Sequence, residues 1–411
     1  MAKRIEACRI CGNTHLTPVL DLGDQALTGV FPKSRDTAVT VGPLSLVLCA
    51  GEGACGLLQL AHSYDASEMY GENYGYRSGL NPSMVSHLRS KVERIKALGL
   101  LSDGDIVLDI GANDGTTLRQ YEQPGLRLVG MDPTGAKFRE YYTDNILLVA
   151  DFFSAAKFRG ALGVDARAKV VTSFSMFYDL EDPAGFMAEV HEILADDGIW
   201  VFEQSYMPLM LDTNSYDTVC HEHLEYYALA QIDWMAKRVG LEIIDVELND
   251  VNGGSFSVTV QKAGGPLARS AAVDEAFARE AEMNLDRLET YAAFRHRIDT
   301  ARDELLAFLR KAKAEGKRVV GLGASTKGNV LLQYCGIDAS LLDCIGEVNP
   351  DKFGAFAPGT LIPIRDEREV LAESPDYCMV LPWHFRAFFE SEPRYAGVKL
   401  VFPLPVLSIG A

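Results

Sequence analysis

The chain lacks the features that mark several large classes of protein. Across 411 residues no apolar run is long enough to cross a bilayer, and the opening Met-Ala-Lys-Arg-Ile-Glu has no apolar core of a secretory signal. Positive charge is in short supply. Thirty-nine lysines and arginines against 57 acids give a formal net charge of −18, which argues against a nucleic-acid binder with a basic stripe and against a polybasic membrane surface. The cytoplasm is the expected location, where thiols stay reduced. There is no solenoid-type repeat and no low-complexity segment. Two nucleotide signatures are also missing. Asn113 and Asp114 stand where the later glycines of a G-x-G-x-x-G would be, and Lys327 is not preceded by a Walker-type glycine loop. The length suggests two to three domains with ample material for buried cores.

The most informative stretch is Val107-Leu-Asp-Ile-Gly-Ala-Asn-Asp-Gly115. It reads as a buried parallel strand ending in a glycine turn that opens a helix at Thr116-Thr117-Leu118. Gly111 and Gly115 permit a sharp turn and close backbone approach to a ligand. Asp132 ends the next apolar run, about 20 residues beyond the first glycine, where a doubly wound sheet places an acid for a ribose diol. A loop without the later glycines has less room for a pyrophosphate, which favours an adenosine ligand without phosphates. S-adenosylmethionine fits. Asp109, Gly111, Ala112, Asn113, Gly115, Asp132 and Ser173 are the expected cofactor residues. Asp151 and Phe152 would receive the adenine amino group and flank its ring.

Cys8-Arg-Ile-Cys11 and, much later, Cys49 and Cys55 form two cysteine pairs. In a reducing compartment such pairs predict a four-thiolate structural Zn2+ site, although the five-residue second spacer is longer than common. Only a few short strands are expected between the pairs, too little apolar surface to fold without metal. Cys335, Cys344 and Cys378 read as core residues.

Residues 64–81 carry Tyr70, Tyr74 and Tyr76 among glycines, a candidate closing loop or a packed linker. A helix is expected over 82–98. Strands follow at 106–110, 126–131, 146–149, 169–173 and 198–203 with helical patterns between them, an α/β alternation implying a mainly parallel sheet. The second concentration of chemistry is Cys220-His-Glu-His223. Its histidines are two apart, so it is not the zinc-protease pattern. Three contiguous ionisable groups in an aromatic stretch point to proton transfer. After a strand near 253–260, a charged helix or helix pair runs to about residue 316, with Phe294, Ile298, Ala301, Leu305 and Phe308 on one packing face. A second strand and glycine turn begins at Arg318. There Ser325, Lys327 and Asn329 suit an anionic group, with a second adenosine site as the rival reading.

Together these features resemble the C-methyltransferases that act on nucleotide-linked 4-keto-deoxysugars. The resemblance spans essentially the whole chain and rests on the cysteine pairs, Asp109-Ile-Gly-Ala-Asn-Asp-Gly115, His221-Glu-His223, Gly321-x-Gly-Ala-Ser-x-Lys-Gly-Asn329, Pro358-Gly-Thr and Leu381-Pro-Trp-His384. It implies a zinc-binding module (residues 1–65), a class I methyltransferase Rossmann-like domain (66–265), a helical connector (266–316) and a C-terminal Rossmann-like α/β domain (317–411). It implies His223 as base, Glu222 orienting it or holding a sugar hydroxyl, His221 as a less certain participant, and Tyr74 and Tyr76 lining the cleft. Tyr178, Cys220, Ser325, Lys327, Asn329, Lys352 and His384 would meet a nucleotide-sugar substrate in a monomer or weak oligomer. Two positions depart from the family pattern: Cys220 stands where a tyrosine is expected, and Phe177-Tyr178-Asp179 where a histidine is. An O-methyltransferase and a non-catalytic cofactor-binding protein are the competing readings.

Overall fold

The computed structural model describes residues 2–65 and 77–410. Tyr70, Tyr74 and Tyr76 therefore lie outside the described residues. The central sheet has seven strands in the order Leu241–Asn249, Ser255–Lys262, Leu194–Ser205, Ala168–Phe174, Ile106–Ile110, Arg127–Met131 and Ile146–Val149. All pairings are parallel except those of Ser255–Lys262 with its two neighbours. This is the order of a class I methyltransferase sheet, and Val107, Leu108, Val170, Val171 and Ile199 are fully buried within it. The chain reverses direction across the sheet between Ile106–Ile110 and Ala168–Phe174, the crevice where such a fold binds ligands.

Two expectations need correction here. The first glycine turn opens no α-helix; it leads to a single 3-10 turn, Leu118–Gln120, before Pro124-Gly125 ends the segment. Between the next two strands there are again only short 3-10 turns, Pro133–Ala136 and Arg139–Tyr141. Pro124-Gly125 bounds the first segment and Pro133 and Gly135 open the second, so neither leaves a long uninterrupted stretch for a helix, although Thr116-Thr117-Leu118 is itself compatible with one.

The N-terminal strands are longer than expected. Leu16–Ala26 pairs antiparallel with Val41–Cys49, which pairs with Leu58–Leu60. The fourth strand of this sheet is Glu225–Tyr226, which directly follows the His-Glu-His run. Leu20, Leu22, Leu44, Leu46, Leu48, Leu58 and Leu60 share one core with helix Leu288–Ala314 and the C-terminal sheet. The apolar face of the N-terminal sheet is thus covered by the rest of the chain. The connector is a helix pair, Ala271–Glu282 and Leu288–Ala314. Phe294, Ile298, Ala301, Leu305 and Leu309 are its buried face, with Phe308 half-buried beside them.

The C-terminal sheet runs Ile364–Asp366, Ile345–Glu347, Val319–Leu322, Tyr377–Val380, Leu400–Phe402 and Ser408–Ile409, parallel but for its last strand. It is a second doubly wound sheet. Among the described residues no helix is long and apolar enough to cross a membrane.

Candidate active site

The four predicted metal ligands come together. Cys8 Sγ lies 3.5 Å from Cys55 Sγ and Cys11 Sγ 3.4 Å from Cys49 Sγ, and all four sulfurs fall within 4.8 Å of one another. Thiolates about 2.3 Å from a tetrahedral zinc are separated by about 3.8 Å, so this donor set fits Zn2+ with no open position. The shared hydrogen bond draws the Cys8 thiol down to about 5 and drives Cys55 up. All four can be thiolates together only around a cation. Arg9, within the first pair, donates to the Leu60 carbonyl at 2.8 Å and lies 3.6 Å from the buried carboxylate of Glu225. The cysteine knuckle is thereby tied to the strand that follows His223.

At the first glycine turn Gly111 and Gly115 both have φ near +74°, and Asn113 has φ +50°. A Cβ on Gly111 would meet Met176 Cγ at 3.1 Å and would sit on a left-handed residue, so the turn favours glycine there. Asp132 accepts from the Asn113 amide at 2.8 Å and from the Thr134 amide and hydroxyl at 2.6 Å each. A carboxylate has about four lone-pair sites, so about one remains for a ribose hydroxyl. The amides of Asp132 and Asp151 share the Val149 carbonyl, at 3.2 and 2.9 Å. This sets the acid beside exposed Phe152, whose ring is available to an adenine. Asp151 is also exposed and pairs with Lys157 at 2.8 Å. Asp109 is buried under the turn, accepts from Thr172 Oγ1 at 2.6 Å, and is pushed up to about 7 by burial. Ala112 is buried. These residues fit an adenosine-type cofactor. Ser173 does not join them: it is buried and its hydroxyl accepts from the Trp200 indole at 3.0 Å, so it supports the core.

Several contacts at this turn escape a reading of the sequence. Asn113 Oδ1 accepts from the Ser78 amide at 3.0 Å and Asp114 Oδ2 from the Gly79 amide at 3.1 Å. Arg77 and Arg119 lie 3.8 and 3.9 Å from the Asp114 carboxylate. The segment emerging from the tyrosine stretch is therefore docked on the glycine turn. Tyr142 closes the other side, donating to the Asn113 carbonyl at 2.8 Å. Farther along the sheet edge, buried Glu203 accepts from Lys91 and Asn249 at 2.8 Å and pairs with His87 at 2.6 Å. The Asn-Asp pair in the motif was the only sequence signal of this clamp, and nothing in it named the partners.

The His-Glu-His segment is held from both sides. The Leu224 carbonyl accepts from the Leu60 amide and the Leu224 amide donates to the Tyr178 carbonyl, both at 2.8 Å. Met176, which touches the glycine turn, and Tyr178, whose ring lies 4.2 Å from that of His223, are two residues apart. The cofactor turn and His223 are thus in contact with the same short stretch of chain, residues 176–178. His223 Nδ1 lies 3.0 Å from the Thr218 carbonyl and must donate to it, which leaves Nε2 as the basic nitrogen. Burial, with Lys327 adding to it, lowers His223 to about 3. Glu222 is raised by burial; its carboxylate lies against Gly29, and Oε2 has no partner.

His221 faces the opposite way. It is buried edge-on to Tyr64, ring centroids 4.6 Å apart, with Nε2 3.4 Å from the Gly42 carbonyl. His221 thus lies against the N-terminal sheet while His223 lies against Tyr178, and the contacts of His221 are those of a packed side chain. Cys220 is buried beside Glu222 with its thiol pushed well up, which makes it a poor nucleophile.

The second glycine turn meets this segment. Lys327 Nζ donates to Thr218 Oγ1 at 3.1 Å and to the Asn252 carbonyl. Asn329 Nδ2 donates to the Thr28 carbonyl at 2.7 Å, while its Oδ1 has no partner. His384, held down to about 3 by burial, approaches Gly253 and has an unpartnered Nδ1. Asp217 Oδ2 accepts from Trp383 Nε1 at 2.8 Å and its Oδ1 is unpartnered. Two of the expected substrate residues serve the turn itself: Ser325 caps helix Thr326–Cys335 through the Gly328 amide, and Lys352 donates to the Ala324 carbonyl at 2.7 Å. These two contacts hold backbone in place, whereas Glu222, His223, Lys327 and His384 are crowded yet keep part of their surface open, as the walls of a narrow crevice do.

Residues 8–70 match the family of a zinc binding domain, 84–246 that of a methyltransferase domain, and 250–405 that of the C-methyltransferase C-terminal domain. The C-methyltransferase NovU of Streptomyces niveus is 29% identical over 411 residues, covering 98% of this chain and 97% of its own. Among solved structures, the CcbJ methyltransferase of Streptomyces caelestis aligns with 43% of this chain and 90% of its own at 16% identity and a TM-score of 0.34. An S-adenosylmethionine-dependent methyltransferase of Clostridium acetobutylicum aligns with 43% and 91% at 13% identity and the same TM-score of 0.34. With its three parts matched in order and a full-length relative of the same kind, the chain is an S-adenosylmethionine-dependent methyltransferase, similar over its whole length to a C-methyltransferase and with a zinc-binding domain ahead of the methyltransferase domain.

Proposed function

We propose that this methyltransferase methylates the carbon beside the ketone of a nucleotide-linked 4-keto-deoxysugar, with His223 as the base. The observation that carries this reading is the Thr218 carbonyl on His223 Nδ1, which commits Nε2 to proton acceptance among the half-buried side chains of Glu222, Lys327 and His384. A carbon has no lone pair to methylate, so the proton α to the carbonyl must leave first. It passes to Nε2, its bonding electrons move into the carbonyl as an enolate, and the enolate carbon takes the methyl. S-adenosylmethionine, when bound, supplies that methyl as an electrophile on sulfur. Glu222 holds a sugar hydroxyl beside the reacting carbon. The working partition remains 1–65, 66–265, 266–316 and 317–411.

The test is exchange of the α-proton into D2O from a panel of nucleoside diphosphate 4-keto-deoxyhexoses, followed by NMR. Exchange that needs His223 and disappears in His223→Ala, with S-adenosylmethionine binding retained, is the expected result. Turnover of the reduced 4-hydroxy sugar instead would replace the enolate route with O-methylation.

A further inference from the structure

Thr218 carries two hydrogen bonds of different origin. Its carbonyl takes the His223 Nδ1 proton at 3.0 Å, and its hydroxyl accepts from Lys327 at 3.1 Å, across 109 residues of sequence. The same ammonium donates to the Asn252 carbonyl, so two of its three donors are committed to oxygens of this chain. The neighbouring residue is gripped from the same side, since Asp217 accepts from the Trp383 indole at 2.8 Å. Residues 217 and 218, which orient the imidazole, are thus both held by the C-terminal part. A lysine placed to grip a substrate phosphate would present its donors to the open crevice; this one spends two of its three on the Thr218 hydroxyl and the Asn252 carbonyl.

We propose that Lys327 is a positioning residue for His223, acting through Thr218 to fix the tautomer and place of the imidazole, so that the base is set only when the C-terminal part is docked. This rests on the reading of His223 as the base. The cation also has an electrostatic consequence. Lys327 acts on His223 directly and Tyr178 touches its ring; the other titratable groups on its own segment and on the turns around it are Asp217, Cys220, Glu222, Asp179 and His384. Burial raises the carboxyls of Asp217 and Glu222, which weakens them as counter-charges. An ammonium beside a poorly solvated imidazole disfavours the imidazolium.

The experiment reads the imidazole directly and needs no substrate. In the 15N spectrum of the full chain, with the His223 signal identified by its loss in His223→Ala, the wild type is expected to show the Nδ1–H tautomer and to stay neutral into the acid range. Lys327→Met is expected to give mixed tautomers and a titration midpoint higher by roughly 1 pH unit. Thr218→Val, which keeps the carbonyl but loses the hydroxyl, should also mix the tautomers. Thr218→Ser should behave as wild type, and Lys327→Arg should restore much of the effect. Should Lys327→Met fail to fold, Thr218→Val carries the same test. On the α-proton exchange assay, Lys327→Met should lower kcat by roughly 10–100-fold with little change in KM. An unchanged His223 signal in both variants, or a raised KM with kcat intact, overturns the proposal. Full exchange activity in His223→Ala would instead sink the base assignment, whatever the spectra show.

Discussion

The two glycine turns share one local grammar and do different work. Each follows a central parallel strand, and in each an acid at the end of the neighbouring strand reaches back to a turn amide: Asp132 to Asn113 at 2.8 Å, Glu347 to Ala324 at 2.9 Å. The second turn even has the better helix, Thr326–Cys335, where the first has a single 3-10 turn. Yet the second is filled. A Cβ on Gly323 would meet Pro382 at 2.8 Å and one on Gly328 would meet Leu381 at 2.7 Å, while Lys352 covers the Ala324 carbonyl. Glu347, like Asp132, accepts three hydrogen bonds, one on Oε2 from the Ala324 amide and two on Oε1 from the Val348 and Asn349 amides, so the acids themselves do not separate the turns. The first turn keeps an exposed Phe152 beside its acid. The lesson is that a strand, a glycine and an acid make a place for a ligand only where the next loop leaves it empty. This weighs against a second adenosine site at 321–325 and leaves that turn as a brace for the catalytic segment.

The comparison can be broken most decisively through the metal. If the first turn binds cofactor by itself but reacts only with a base delivered by the N-terminal sheet, then removing zinc by chelation, or Cys49→Ser, should abolish methyl transfer. Binding of S-adenosylmethionine, read by calorimetry, should survive, and zinc should restore turnover of the chelated protein. Loss of both together would mean that the N-terminal sheet supports the turn itself.

The acids come next. Asp132→Asn should weaken S-adenosylmethionine binding by roughly 10–100-fold, the worth of about one charge-assisted hydrogen bond, whereas Glu347→Gln should leave it within about two-fold. Equal losses would erase the distinction between the turns. The glycines reverse the order. Gly323→Ala forces a left-handed residue against Pro382 and should cost about 2–4 kcal/mol of stability in urea unfolding. Gly111→Ala meets only the flexible Met176 and should cost less stability, while impairing cofactor binding.

The smallest effect is one of pH. His221, His223 and His384 are held at about 4, 3 and 3, mainly by burial. Below about 6.5 the unfolded chain takes up protons that these folded imidazoles refuse, so stability is lost as pH falls from about 6.5 toward 4. Buried Asp217 and Glu222, raised in the fold, act in the opposite sense and moderate the loss. Urea midpoints at pH 7, 6 and 5 should therefore decline gently. His221→Asn should flatten that decline, and an unchanged slope would mean that His221 is not the buried neutral group described above.

Much of the fold was written in short-range pattern. The strands Ile106–Ile110 and Ile146–Val149 begin and end where apolar runs do, and Arg127–Met131 differs by one residue. Ile106–Ile110 and Arg127–Met131 are inner strands, covered on both faces and so mostly apolar, while Ile146–Val149 is a partly exposed edge strand. The missing helices after Ile110 and Met131 were harder to foresee, since Thr116-Thr117-Leu118 has nothing locally wrong with it. The clamp of Asn113 and Asp114 onto residues 78 and 79 holds that backbone in another shape. Ser173 was misjudged for a related reason: its place at a strand end was visible, but the Trp200 indole that takes its hydroxyl was not.

What the sequence by itself determined is the inventory: four thiols paired for a metal, a glycine turn with its acid, and a His-Glu-His run. Those depend on residue type and spacing along one strand or loop. Only the tertiary structure decided that Glu225–Tyr226 completes the N-terminal sheet, that His221 reaches the Gly42 carbonyl while His223 reaches that of Thr218, and that Lys327 holds the Thr218 hydroxyl. Apart from the His223 contact, each of these joins segments far apart in the chain, set by which faces can be buried together, and local sequence carries no record of its partner.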